Sequence, residues 1–313
     1  MHLLIPFASA LSDAAMQVVR DMPLPHLATL LATLSPTQRD DGDERSFSPP
    51  HERALAAAWD WHGADGGLPF SARSAAADGI DVGTAAWGLL TPAHWQLARD
   101  HVALADPLAL NLTDAESHAA FEAVRPLFES EGLRVEWGAT LRWYVAHDAL
   151  AGLPCAALDR VIGRRVELWT GSQAQTTPAA ALMRLLQSEV QMLLYPHPIN
   201  EAREARSELT LNSFWLSGCG RFQPSDDAAV QVDDTLRAPL LAQDWAAWAE
   251  AWQALDANAF PQLLAAAQRG APVALTLCGE RSAQRFENLP RSLWRRLASR
   301  WQAPLPHTVL ETL

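Results

Sequence analysis

Hydrophobic residues recur along this chain at two periods, and the period changes from one segment to the next. Residues 2–7 (HLLIPF) form an apolar run of the length of a short buried strand. Residues 11–34 have helical spacing, interrupted around Pro23 and Pro25. Leu133, Val135 and Trp137 alternate with Arg134 and Glu136, and Leu141, Trp143 and Val145 alternate after them. This predicts a hairpin turning at Gly138–Ala139, with Arg142 and Tyr144 together on the opposite face of its second strand. Residues 166–169 (VELW) read as a further strand. So do residues 209–216, which lead into Gly218 and Gly220. Residues 273–278 (VALTLC) are an apolar run short enough for a central strand.

Three segments follow the helical period. Thr113 and Glu116 have capping-box spacing ahead of the stripe Phe121, Val124 and Phe128, and Pro126 is expected to kink or end that helix. Leu182, Leu185, Leu186, Val190, Leu193 and Leu194 define a helix over 179–194. Glu189 lies four residues from both Leu185 and Leu193, so its carboxylate on that face needs a partner. Asp244 can cap a helix carrying Trp245, Trp248, Trp252 and Leu255. Residues 35–53, polar and punctuated by Pro36, Gly42, Pro49 and Pro50, are expected to be a mobile loop. Residues 62–83, rich in Gly, Ala, Ser and Asp, are expected to be irregular. Helices alternating with apolar strands indicate an α/β protein, and the internal hairpin indicates an inserted α+β portion.

Composition narrows the function classes. Of 313 residues, 49% are apolar and 19% charged, enough apolar material for a packed core and too much for an extended disordered chain. The net charge is −12 and all 24 basic residues are arginine, which argues against a general nucleic-acid binder. No apolar run reaches membrane-spanning length, and MHLLIPF lacks the features of a signal peptide. Cys155, Cys219 and Cys278 are isolated, which argues against a disulfide framework and a zinc ribbon. The expected setting is the cytoplasm, with reduced thiols, no cofactor and no membrane contact.

The densest polar stretch is 187–220, QSEVQMLLYPHPINEAREARSELTLNSFWLSGCG. Pro196 and Pro198 end the preceding helix near Tyr195 and leave His197 and Asn200 on a constrained turn. Arg203 and Arg206 follow on a short helix, and the strand after it returns Asn212 and Ser213 toward the turn. Two readings stand side by side: an anion site using arginine and the backbone beside Gly218 and Gly220, or a network that only satisfies its own backbone. Other candidates carry less. His94 and His101, seven apart, match no helical zinc pair. Ser213 is not in a nucleophile-elbow motif, and Cys219 sits among apolar neighbours. The Trp245–Trp252 stripe is either core or an exposed contact face.

Two resemblances add to this reading. LQSEVQMLLYPHPINEAREARSELTLNSFWLSGCG and TPAHWQLARDHVALADPLALNLTDAES resemble the bacterial regulatory proteins of the RpfE type, nearly end to end. More distantly, the chain resembles the archaeal-type cofactor-independent phosphoglycerate mutases of the alkaline phosphatase superfamily. Their pattern H-P-V-N, R, A-N-x-x-W-x-W-G-x-G stands here as His197-Pro198-Ile199-Asn200, Arg203 and Leu211-Asn212-Ser213-Phe214-Trp215-Leu216-Ser217-Gly218-Cys219-Gly220. Ala115-Glu116 and Leu141-Arg142 fall where that family has an E-A motif and a Y-R strand. The resemblance implies an alkaline phosphatase-like core sheet over 1–75 and 221–313, with an inserted α+β domain over 76–220.

Where that family begins with D-G-x-x-D, this chain reads Pro6-Phe7-Ala8-Ser9-Ala10, with no carboxylate before Asp13. The phosphate-accepting T-P-N-L segment reads Leu24-Pro25-His26-Leu27, and the late D-x-x-G-H motif reads Leu277-Cys278-Gly279-Glu280-Arg281. The chemistry of that superfamily uses two metals and a hydroxyl nucleophile. The resulting expectation is a non-catalytic cytoplasmic regulatory protein that binds no metal. It would take a small phosphorylated or carboxylate ligand at Arg142, Glu189, His197, Asn200, Arg203, Asn212, Ser213, Gly218 and Gly220, or else a partner protein. The alternative expectation is a phosphoryl-transfer enzyme with metal ligands rebuilt from His94, His101, Glu189 and His197.

Overall fold

The computed structural model describes residues 1–97, 99–170, 177–226, 229–288 and 305–313. The chain divides into two compact units: Met1–Glu44 with Pro49–Asp60 and Ser225–Leu313, and Arg45–Ser48 with Trp61–Pro224. In chain order the first unit opens with β1 (His2–Ile5), α1 (Asp13–Asp21), α2 (Pro25–Thr33), β2 (Ser35–Asp41) and α3 (Pro50–Ala58). The second contributes α4 (Phe70–Ala77), β3 (Ala86–Ala93), β4 (Trp95–Leu97), β5 (Val102–Leu104), α5 (Asp114–Ser130), β6 (Arg134–Ala139) and β7 (Arg142–Ala146). It continues with α6 (Leu158–Val161), α7 (Glu167–Thr170), α8 (Pro178–Leu194), α9 (Pro198–Ala205) and β8 (Ser213–Arg221). The first unit resumes with β9 (Gln231–Val232), α10 (Arg237–Leu241), α11 (Trp245–Gln268), β10 (Ala274–Cys278), β11 (Ser282–Glu287) and α12 (Pro306–Leu310).

In the first unit the described strands form a mixed sheet in the order β2-β11-β10-β1-β9. β1 runs parallel to β10 and β9, while β11 is antiparallel to both β10 and β2. The apolar runs of β1 and β10 are buried because helices cover both faces. Leu3, Ile5, Leu275 and Leu277 pack with Leu27, Leu30, Trp248, Trp252, Phe260 and Leu263 of α2 and α11. Leu4 and Cys278 face the other way, toward Ala54, Leu55 and Ala58 of α3. The Trp stripe is therefore mostly core: Trp248 and Trp252 are fully buried, and Trp245, half-buried, packs against the same cluster.

His2 lies at the start of β1, where its Nε2 is 2.8 Å from Thr276 Oγ1. Burial, and after it the Arg285 guanidinium, lowers its pKa to about 4, with Glu287 acting in the opposite direction. The unfolded histidine titrates at 6.5, so the unfolded chain binds more protons between those two values. Stability is accordingly expected to fall as pH drops from 6.5 toward 4, and to recover on return. Urea midpoints across that window check this, with His2→Gln giving a flatter profile than wild type.

The second unit is an antiparallel sheet, β6-β7-β3-β8 among the described strands. Phe121, Val124 and Phe128 of α5 and Leu186, Val190 and Leu194 of α8 cover one face, against Trp143, Val145, Phe214 and Leu216. Ala72 and Ala75 of α4 cover the other face, against Trp87 and Tyr144. The capping box of Thr113 and Glu116 is present. The β4–β5 pair forms a separate small ribbon. None of the described helices is long and apolar enough to cross a membrane.

Several expectations are corrected. Residues 35–41 are not loop but β2, a polar edge strand whose order comes from pairing with β11. Residues 70–77 are helical rather than irregular. Their alanines let the helix lie close on β8. Pro126 neither ends nor splits α5, because Val124 and Phe128 on either side of it are buried. Residues 167–170 form a short helix, not a strand. The hairpin turns at Thr140–Leu141, since Ala139 pairs with Arg142. Gly138 instead permits a close approach, since a Cβ there would come within 2.5 Å of the Tyr144 ring and 2.6 Å of Asp78 Oδ2.

β8 begins at Ser213 and runs through both glycines, so Gly218 and Gly220 are strand residues rather than a turn beyond one. Gly218 has φ +63, and a Cβ on it would meet the backbone N of Ser71 at 2.9 Å. Gly220 would meet Pro69 Cβ at the same 2.9 Å. The Ser71 hydroxyl is shared between the carbonyls of Trp87 and Gly218, at 2.7 and 2.5 Å. The glycines thus admit the first turn of α4. Gly218→Ala is expected to cost about 3 kcal/mol, combining left-handed strain with the clash. Gly152→Ala, with φ +74 and open space around it, carries only the strain of about 1 kcal/mol. Urea midpoints of the two variants separate the contributions.

Candidate functional site

Two places bear on chemistry, one in each unit. In the first, β1 and β10 run parallel, and their C-terminal ends lie side by side. The segment after β1 is tied down by its backbone: Ala8 N donates to Cys278 O at 2.8 Å and Leu11 N to Glu280 Oε2 at 3.0 Å. Phe7, at φ 57, accepts from Trp248 Nε1 at 3.2 Å through its carbonyl. Beyond β10, Arg281 N and Ser282 N donate to Leu313 O at 3.1 and 2.8 Å. Burial pushes the Cys278 thiol well above the ordinary range.

Helix α2 starts nearby in sequence, at the Leu24-Pro25-His26-Leu27 segment. Its N-cap, Leu24, has no side-chain acceptor to offer. The otherwise unpaired N–H groups of the first turn are met instead by a carboxylate from α11. Asp256 Oδ1 accepts from Leu27 N at 2.8 Å, and Oδ2 from His26 N at 3.2 Å. The His26 ring closes the same group, with Nδ1 2.9 Å from Oδ2. Asp256 is 4% exposed, so this anion is part of the core. It complements the positive end of the helix as a bound phosphate would.

A two-metal centre does not fit these residues. The end of β1 offers Ala8, Ser9 and Ala10, Asp13 is exposed on the first turn of α1, and Glu280 accepts from Leu11 N. Cation sites of this kind need several converging carboxylates or imidazoles. Among the described residues no three His, Cys, Asp or Glu side chains are grouped to hold a metal ion.

In the second unit the 189–220 cluster forms a corner where α8, α9 and β8 meet α5. Arg203 is fully buried and fans out to protein acceptors. Its Nε donates to Leu209 O at 2.7 Å, Nη1 to Glu116 Oε2 at 3.1 Å, and Nη2 to Leu110 O. Arg206, at the surface, bridges Glu116 and Glu208 at 2.5 and 2.7 Å. Burial pushes the Glu116 carboxyl up. The bonds from the Thr113 backbone and hydroxyl and from Arg206 outweigh that and hold it below the ordinary range. Asn200, buried, donates to Leu194 O and Leu211 O and accepts from Leu211 N, all within 2.8 Å. Asn212 exchanges two bonds with the Trp95 backbone, at 2.7 and 2.9 Å, extending the β3–β8 ladder beyond the Ala93–Ser213 pair. Ser213 is buried at the start of β8. His197 caps α9 by accepting from Ile199 N.

The structure thus brings Asn200, Arg203, Asn212 and His197 to one corner, each bonded to protein. Ser213 follows Asn212 there, but Arg142, Gly218 and Gly220 serve other contacts. Arg142 forms a two-pronged pair with Asp78, both contacts at 2.8 Å, which holds that carboxyl below its ordinary range. Tyr144 donates to the same Asp78 at 2.6 Å, and burial raises its phenol well above the ordinary range. Gly218 and Gly220 serve the packing of α4. Glu189 is half-exposed, because Leu185, one turn before it, points outward at 50% exposure. The buried stripe of α8 is Met183, Leu186, Val190 and Leu194. The proposed metal replacements also lie apart: His94 Nδ1 faces Thr210 O at 2.8 Å and His101 Nδ1 faces Asp100 at 2.8 Å.

The class these features define is a mixed α/β core with an inserted α+β unit. No family model matches the chain, and no curated protein does. Among solved structures it is similar to the cofactor-independent phosphoglycerate mutase from Thermoplasma acidophilum. The identity is 14%, over 100% of this chain and 98% of that one, with a TM-score of 0.36. It is also similar to the PH0037 protein from Pyrococcus horikoshii, at 12% identity over 91% of this chain and 86% of that one, with a TM-score of 0.45.

Proposed function

We propose that this chain is a non-catalytic, cytoplasmic regulatory protein built on a scaffold of phosphoglycerate mutase type. The observation that carries the reading is the Asp256 carboxylate on the N-terminus of α2. That helix begins at the segment where the sequence resemblance places the phosphate-accepting hydroxyl. Its N–H groups are already taken by a buried anion of the same chain, and a phosphate brought there would meet like charge. Leu24 supplies no nucleophile. Regulation without turnover works by binding, and the buried corner favours a partner protein over a small anion. Arg203 and Asn200 already have protein acceptors, so a ligand would have to displace them at a cost of several bonds. The surface of α8 presents Leu185, Met192 and Tyr195 outward, at 50%, 70% and 85% exposure.

Thermal unfolding tests this reading. A ligand that binds only the native state raises the midpoint by mass action. The midpoint is expected to stay unchanged with millimolar 3-phosphoglycerate, inorganic phosphate, Mn²⁺ or Zn²⁺. A concentration-dependent rise with phosphoglycerate and metal together contradicts the reading and favours phosphoryl transfer. A rise with phosphate alone favours the small-anion ligand over the partner.

A further inference from the structure

Two cysteines far apart in sequence meet in the inserted unit. Cys155 Sγ lies 3.6 Å from Cys219 Sγ, and both are free thiols. Gly218 makes this meeting possible. With its φ of +63 it breaks the strand alternation, so Cys219 joins Phe214 and Leu216 in the same buried cluster instead of facing away from them. Cys155 is held opposite by its backbone. Its N donates to Gly66 O at 3.0 Å, and the next carbonyl, of Ala156, accepts from Trp215 Nε1 at 2.8 Å.

The two thiols differ in access. Cys219 is fully buried, and the contact with Cys155, followed by burial, pushes its thiol well above the ordinary range. Cys155 is half-buried and lines a cavity of about 50 Å³ with Met183, Gln187, Trp169 and Trp215. That space is more than one water needs, so a small peroxide can reach Cys155.

We propose that Cys155 and Cys219 form an oxidant-responsive thiol pair, with Cys155 as the peroxide-reactive sulfur and Cys219 as the resolving one. The Cys155 thiolate attacks one oxygen of hydrogen peroxide. The O–O bond breaks, the departing hydroxide takes a proton and leaves as water, and Cys155 becomes a sulfenic acid. Cys219 sulfur then attacks the Cys155 sulfur. The S–O bond breaks, the Cys219 proton leaves with the hydroxyl as a second water, and an S–S bond remains. Two thiols are oxidised and one peroxide is reduced to two waters. The sulfurs must approach from 3.6 Å to a bonding distance of about 2.05 Å, a shift within the reach of one rotamer adjustment and a small loop movement. The product ties the loop around Cys155 to β8.

The test is peroxide titration of the whole native chain, followed by intact mass and tryptic mapping. Trypsin cuts after arginine, which puts Cys155 in the peptide 143–160 and Cys219 in 207–221. The expected result is loss of two hydrogens in mass and a cross-link between those two peptides. Cys278, buried in the other unit, should remain a thiol and serve as the internal reference. In Cys219→Ser the reaction should stop at a Cys155 sulfenic acid that dimedone traps, and Cys155→Ser should give no adduct. The wild-type map decides the matter even if a variant fails to fold. Three results overturn the proposal: no cross-link at peroxide levels that oxidise free glutathione, oxidation of Cys278 at an equal rate, or disulfides only between separate chains.

Discussion

Replacing Arg203 with alanine is expected to lower the unfolding free energy by about 4 kcal/mol, read as a fall in the urea midpoint at unchanged slope. The side chain has no exposure, and it satisfies the carbonyls of Leu110 and Leu209 as well as the Glu116 carboxylate. Removing it strands the carbonyls of Leu110 and Leu209 and takes a charged partner from Glu116, which keeps its bonds to Thr113 and Arg206. Arg203→Lys should recover only a small part of the loss, because an ammonium cannot reach three directions from one plane. Arg206→Ala, at a surface where its partners remain hydrated, should move the midpoint far less. If Arg203 were held for a ligand, its replacement would spare stability and abolish binding, the reverse of this pattern.

The second large effect is at Asp256. Asp256→Ala should cost about 3 kcal/mol, because His26 N and Leu27 N lose their acceptor in a buried setting. Asp256→Asn keeps one acceptor oxygen and should cost about half as much. The alanine variant carries a further expectation. With the carboxylate gone, the N-terminus of α2 is an open anion site, so inorganic phosphate should raise its thermal midpoint while leaving wild type unmoved. Equal phosphate responses in the two proteins would mean that Asp256 does not occupy an anion position.

Much of the fold is legible in the sequence because its signals are local. The apolar runs of β1 and β10, the stripe of α8, the tryptophans of α11 and the capping box at Thr113 all depend on residues within a few positions of one another. The elements that sequence pattern misses depend on long-range partners. Ser35–Asp41 looks like loop because nearly all its side chains are exposed, and only its pairing with β11 makes it a strand. Phe70–Ala77 looks irregular because its alanines serve a close approach to β8 rather than an apolar stripe.

The candidate site divides the same way. The turn residues His197, Asn200, Arg203 and Asn212 do converge, as their spacing suggests, but spacing alone does not show that their partners are backbone groups. A carboxylate on an apolar helix face does need a partner, yet Glu189 is not the residue to which this applies, because it lies on the half-exposed flank of α8. Asp256, four residues after Trp252, is the carboxylate within a buried stripe. The Cys155–Cys219 meeting is hidden in the sequence because Gly218 reverses the parity of the strand just before Cys219.

One measurement bears on all of this most directly: interconversion of 3-phosphoglycerate and 2-phosphoglycerate by the purified chain in the presence of Mg²⁺, Mn²⁺ and Zn²⁺, each in turn. A core in which the Asp256 carboxylate already occupies the N-terminus of α2 predicts a rate no greater than that of the buffer alone. Saturable, metal-dependent turnover by the wild-type chain would contradict it.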